Sequence, residues 1–573
     1  MLRKLRMTQP LFRPMSRHLT MPMGRFLATV ALLVLLVLLV LPAASHVQAQ
    51  AAPQEVTVNF LTQGEPDSLD PNRASLAFGG DAAVVRQIFE PLLRFDDKLV
   101  PRPAAAESYD VSPDGTLYTF HLRHDGRWSD GQPVTAQQFE FSWKRLLDPR
   151  LQAEYAPLFV DAGIVGADDF NSRRVPTSGR VGVRATDDHT LEVRLVQAFG
   201  ALPNLAALPV GAPVRPDLVA EDPEGWAQDP STVIGNGPFM LSDWVHQDHL
   251  TLVPNPQYAA HSNWPRPTLS KVTVAMATNA EDDFAAFNTN QQDWTVVSEA
   301  DVNAVLNDPE LAKQSRPFTE LTTFWVQLNI ANPPLDNVLV RRALAKGIDR
   351  SALVRDLAGG VSVPTTSVLP PGMPGFEVGL GHELSFDPAG GQALLAQAGF
   401  GDGAGRTLTF SVPAAPGDLR RAEYLQAQWN DNLGLHVELS PTEPAEYQQA
   451  IEDKQYDLAF GGWSADYPDP QDWFSAVFGC KGAFNTTNYC NASFDQLVAR
   501  ADTGTSLDDR LRLYGQAHMM LTQEVPVLPL FVRGRLALVK PWVQSTDGGP
   551  LPITAHDDYP GSYFLDKVQI LPH

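Results

Sequence analysis

Runs in which apolar residues alternate with polar ones keep recurring along this chain, separated by stretches whose apolar residues repeat at helical spacing, and that alternation demands a mixed α/β architecture. The strand-like runs include Val56–Leu61, Leu117–Leu122, Thr190–Leu195, Lys271–Ala275, Thr407–Val412, His436–Leu439 and Tyr456–Phe460. The helical patterns include Val338–Ile348, Gly390–Ala398, Arg420–Leu433 and Leu507–Leu521. In Phe386-Asp387-Pro388-Ala389 an Asp precedes a Pro, as at a helix start, and Gly399 stands where such a helix would end. A chain of 573 residues, 44% of them apolar, can bury more than one ordinary core, and two or three lobes are expected. No internal repeat is visible.

Arg3, Lys4, Arg6, Arg13, Arg17 and Arg25 precede an apolar run over Phe26–Leu41, and Pro42-Ala43-Ala44-Ser45 and Val47-Gln48-Ala49 follow it. This basic, apolar, small-residue order is that of a secretory signal over residues 1–49, cleaved after Ala49. The alternative is an uncleaved N-terminal anchor. The rest of the chain is therefore expected outside the cytoplasm. The two cysteines, Cys480 and Cys490, share one polar segment without histidine, so a local disulfide is expected there, not a metal site. Closing so short a loop stabilises by about 2–3 kcal/mol in the chain-entropy view.

Acids outnumber bases 66 to 43, for a net charge of −23, which disfavours nucleic acid as a partner. Catalytic signatures are weak. Gly462-Trp463-Ser464-Ala465-Asp466 lacks the last glycine of a nucleophile elbow, and no His-Glu-x-x-His occurs. His121 and His124, three apart at a strand end, would face opposite sides, and His246 and His249 lie in a polar turn. The glycine-rich stretch 401–405 does not join a strand to a helix and carries no dinucleotide signature. No cofactor and no metal are expected.

Seven phrases occur in an order that resembles the peptide/nickel-type solute-binding family (family 5) of ABC importers, closest in look to oligopeptide binders. They are Gly64-Glu65-Pro66-Asp67-Ser68-Leu69-Asp70-Pro71; Ser112–Arg123; Trp128-Ser129-Asp130-Gly131 with Pro133–Ala136 and Phe141–Arg145; Gly235-Asn236-Gly237-Pro238-Phe239; Val340–Leu344; Gly462–Pro470; and Leu538–Val543. The resemblance implies a three-lobed fold of the periplasmic-binding-protein type that closes about a hinge. Lobe I would comprise 50–78, 229–325 and 536–573, an inserted lobe II 79–228, and lobe III 326–535, with the hinge near Thr323 and Leu536. It also implies a non-enzymatic, monomeric protein that hands a small peptide to a permease and its ATPase. Nickel complexes, haem and oligosaccharides are rival solutes in the same family, and an exported hydrolase is the remote alternative.

By the same resemblance Asp466 pairs with the ligand's α-ammonium, Trp463 forms a wall, and Gly462 and Ser464 offer main-chain groups to an extended peptide. The bland alternatives are a turn-capping Asp466 and a core Trp463. Glu65 and Tyr155 are further candidate contacts. The family's carboxylate-binding arginines are replaced by Phe460 and Ile451, and a tryptophan by Pro444. Arg420, Arg421 or Arg533 would have to substitute.

Overall fold

A computed structural model describes residues 54–573 apart from 60–64, 76–80, 277–279, 358, 401–406 and 550–563. The leader over 1–49 and the glycine-rich turn at 401–405 lie outside the described residues, as does the end of the first expected strand, observed over Glu55–Val58. Two long strands, Ser315–Leu328 and Val527–Val539, lie side by side at the centre of an 11-stranded sheet. On one side the sheet continues through Leu458–Ser464, Leu408–Pro413 and Val437–Thr442. On the other it continues through Trp294–Val297, Glu55–Val58, Lys271–Ala275, His249–Pro254 and Phe239–Val245. A separate four-stranded sheet holds Ala106–Val111, Leu117–Leu122, Thr190–Arg194 and Val183–Asp187.

The long strands escape alternation analysis because they are covered on both faces. Val527-Leu528-Pro529-Leu530-Phe531-Val532 is buried at every position, so nothing polar marks a period of two. Pro529, with no N–H to donate, sits where the register slips from Phe324 opposite Phe531 to Trp325 opposite Pro529. A second slip falls between Thr319 and Thr323. The expected helices form over Val338–Lys346, Pro388–Gln397, Pro416–Leu433 and Leu507–Glu524. Asp387 accepts a hydrogen bond from the Gly390 N–H, and Pro388 opens the helix as anticipated. The first three helices pack Leu344, Leu395, Leu425 and Trp429 against Phe410 and Leu458 of the sheet.

The quoted motifs have structural reasons. A Cβ at Gly235 would lie 2.0 Å from the Ile88 carbonyl oxygen, and the Gly237 N–H donates to that oxygen at 2.7 Å. Asn236 between them accepts from the Glu90 N–H and donates to the Glu90 carbonyl, both at 2.9 Å. Arg341 is buried and serves as a staple, donating to the carbonyls of Glu524, Val525, Leu335 and Asp336. His121 pairs with Asp110, and the His124 ring lies against His189, 4.0 Å between centroids. His246 sits in its turn as expected, but His249 opens the strand His249–Pro254 because Leu250 and Leu252 alternate into the core.

One buried cation joins the segment around residue 200 to the helix Leu507–Glu524. Arg510, 3% exposed, donates to Asp469 at 2.7 Å, to the Ala501 carbonyl at 3.0 Å and to the Gly200 carbonyl at 3.1 Å. Asn204 donates to the other oxygen of Asp469 at 3.2 Å. A Cβ on Gly200 would sit 2.1 Å from the Gly504 oxygen, so only glycine permits this approach. Removing one partner of a buried pair strands the other, so Arg510→Met should lower unfolding stability by about 3–5 kcal/mol in a urea titration. Adding Asp469→Asn should restore part of the loss, and an unchanged urea midpoint in the single variant would contradict this reading.

Candidate functional site

The strand Leu458–Ser464 runs antiparallel to Ser315–Leu328, with Trp463 opposite Thr323 and Gly462 opposite Phe324. A Cβ on Gly462 would come 2.9 Å from the Thr323 carbonyl oxygen, so close pairing favours glycine here. On its other edge the strand pairs in parallel with Leu408–Pro413 only at Phe410–Leu458 and Ser411–Ala459. From Phe460 onward no strand covers that edge among the described residues, although the Tyr447 hydroxyl donates to the Phe460 carbonyl at 2.6 Å. The hydroxyls of Ser464 and Thr322 are 2.8 Å apart.

Past the strand, the chain turns through Asp466-Tyr467-Pro468-Asp469-Pro470 into the short helix Gln471–Trp473. That turn wraps around the Asp472 carboxylate. Oδ2 of Asp472 accepts from the Trp463 indole N–H at 2.9 Å and from the Asp466 backbone N–H at 3.1 Å. Asp472 is 3% exposed, and burial followed by the neighbouring Asp466 charge holds its pKa well above the usual carboxylate range. A side-chain hydrogen bond joins the Asp472 and Asp466 carboxyl groups. The Asp466 pKa is pushed up to about 6, by burial first and then by the charge of Glu154, with the Asp472 hydrogen bond opposing. Asp81 is likewise pushed up to about 6 by burial and then by Asp67, with a smaller contribution from Glu154. The Glu154 charge thus acts on both Asp81 and Asp466.

The other candidates lie as follows. Glu65 accepts from Trp244 at 2.6 Å and from the Gln247 N–H at 3.2 Å, and its Oε1 is 2.5 Å from His246 Nδ1. Burial raises its pKa, and these hydrogen bonds lower it by more. Tyr155 is buried in the main core, beside the exposed Glu154. Arg421 pairs with Asp418 at 2.5 Å, Arg420 is exposed on the same helix, and Arg533 and Arg535 each reach the buried Glu320 at 3.4 Å. Phe460 packs on Phe410, Ile451 is buried, and Pro444 opens a helix. Cys480 and Cys490 form the expected disulfide. Its loop sets Phe484, 52% exposed, against Trp463 with ring centroids 4.7 Å apart. Among the described residues no group of three His, Cys, Asp or Glu could hold a metal ion, and no helix is long and apolar enough to cross a membrane.

Sequence reasoning missed Asp472, Asp81, Glu154 and Phe484. Asp472 follows a proline-rich turn with no periodicity to mark it, and the others converge only through tertiary folding.

The raised pKa has a signed consequence. The unfolded Asp466 titrates near 3.8, so its folded, protonated form contributes stability that is complete below that pH and is lost as pH rises through about 6. Thermal melts of ligand-free Asp466→Asn should therefore exceed native stability at pH 8 by roughly 1–3 kcal/mol and match it at pH 4. An offset that is the same at both pH values would contradict this origin.

A family profile described as bacterial extracellular solute-binding proteins, family 5 Middle, matches residues 100–485. The periplasmic oligopeptide-binding protein OppA of Escherichia coli is 30% identical over 492 residues, covering 84% of this chain and 88% of that protein. A probable deoxycholate-binding periplasmic protein of the same organism, YgiS, is 30% identical over 516 residues, covering 89% and 92%. Among solved structures, the unliganded open form of the periplasmic murein tripeptide binding protein MppA superposes with a TM-score of 0.81 at 25% identity, covering 91% of this chain and 98% of that one. OppA of Burkholderia pseudomallei gives 0.64 at 27% identity, covering 91% and 100%. With the profile spanning more than half its length, the chain belongs to the bacterial extracellular solute-binding proteins, family 5.

Proposed function

We propose that this protein is the substrate-binding subunit of an ABC importer, that it captures peptides, and that it is not an enzyme. The observation that carries the reading is the Asp466 carboxylate, fixed by Asp472 at the end of a strand whose edge is left open from Phe460 onward. An extended peptide can add to that edge through its main chain, which supplies affinity without regard to sequence. Its α-ammonium meets one carboxylate within a field of several, and a cation in exchange for buried negative charge is the favourable direction. The same field disfavours an anionic ligand such as deoxycholate, the solute in the name of one relative.

The three-lobe division fits this role. Lobe I (50–78, 229–325, 536–573) and lobe III (326–535) meet along the two long strands, whose register slips between Thr319 and Thr323. That slip supports a hinge near Thr323 and Leu536, with lobe II (79–228) contributing Glu154 to the site. The protein works as a monomer, delivers its ligand to a permease and ATPase, and is exported by the leader at 1–49, which is cleaved or retained as an anchor. With the usual arginines replaced, Arg533 is the best-placed partner for a ligand carboxylate, since it lies on the hinge strand and is 38% exposed.

Calorimetry on a free-amine tripeptide and its N-acetylated form, with native protein and Asp466→Asn, forms a double-mutant cycle. Each single change should cost about 2–5 kcal/mol, a loss of roughly thirtyfold to several-thousandfold, and the two losses should not add. Additive losses would mean that Asp466 and the ammonium never meet. No binding by the native protein would overturn the peptide reading itself.

A further inference from the structure

The loop between Cys480 and Cys490 is held at nearly every point. Besides the disulfide, the Cys480 N–H donates to Asp495 at 3.1 Å and the Phe484 N–H to the Ala476 carbonyl at 3.0 Å. Asn485 donates to the carbonyls of Gly479 and Tyr489 at 2.8 and 2.7 Å. Thr486 donates to Gln327 and Asn488 to Asn329, both at 2.9 Å, which ties the loop to the long strand Ser315–Leu328 and the residue that follows it. A backbone so restrained ought to have its apolar side chains covered, yet Phe484 remains 52% exposed. Among the described residues its aromatic neighbour is Trp463, 4.7 Å away at an interplanar angle of 52°. Trp463 is itself fixed by its indole bond to Asp472, and it stands three residues before Asp466.

An ordered, exposed aromatic beside an ordered tryptophan is a surface prepared to take an apolar group, since neither ring loses much freedom when it is covered. The backbone of the same turn presents the Asp466 charge. We propose that Phe484 and Trp463 form an aromatic clamp for the side chain next to the ligand's ammonium, so that the site selects peptides whose first residue is apolar or aromatic. This rests on the peptide reading above and adds a selectivity to it. The disulfide is then a positioning device, holding Phe484 where the first side chain arrives.

The test compares Phe-Ala-Ala with Ala-Ala-Ala by calorimetry on native protein and on Phe484→Ala. The native protein should prefer Phe-Ala-Ala. The substitution should weaken Phe-Ala-Ala by about tenfold and Ala-Ala-Ala by no more than about twofold, as expected for losing one aromatic contact. The ligand-free melting temperature should stay close to native, because a half-exposed side chain is removed. If both peptides bind with the same preference before and after the substitution, the clamp is overturned while the peptide reading stands. If native protein takes neither tripeptide, the peptide reading falls, and this selectivity with it.

Discussion

The pairing of Ser315–Leu328 with Val527–Val539 is the constraint on which the rest of the molecule depends. Each strand is buried along most of its length and pairs with its partner from both ends of a register that slips twice. The first strand also carries Leu458–Ser464, and with it the turn that ends in Asp466. The second also carries Trp294–Val297, through which four further strands of the sheet are attached. Any change in angle between the two halves of the sheet must pass through these strands. A pair of irregular, proline-containing strands concentrates that change at a few residues, whereas a regular ladder would resist it.

Around that axis the molecule holds negative charge out of water. Asp81 and Asp466 have pKa values pushed up to about 6, and Asp472 is driven higher still, in each case by burial before any neighbouring charge. Folding is opposed by this arrangement, and a cation relieves it. Contrast Arg510 with Asp469, a pair more deeply buried than Asp466 but internally neutralised, which fastens segments together.

Much of this was legible in the chain itself. Leu117–Leu122 and Lys271–Ala275 form strands with the expected ends, because alternation on a half-covered sheet leaves a clear period of two. Asp387-Pro388 opens a helix for the local reason that its carboxylate caps the first turn. The central strands were not legible, since continuous burial erases the period. Within the site, the phrase Gly462–Pro470 pointed to Asp466 and Trp463, but their order depends on Asp472, whose role exists only once the turn has folded back upon it. Arg421 illustrates the converse difficulty: its neighbour Asp418, one helical turn away, already occupies it. Phe484 looked like any loop residue until the disulfide brought its ring to Trp463.

The central claim is that a solute is enclosed by closure about the long strand pair. Small-angle X-ray scattering with and without a saturating tripeptide, in buffer where calorimetry has established binding, tests it most directly. The account predicts a smaller radius of gyration and a narrower distance distribution on binding. Identical scattering curves at full occupancy would contradict it, because the ligand would then be held by a surface that does not close.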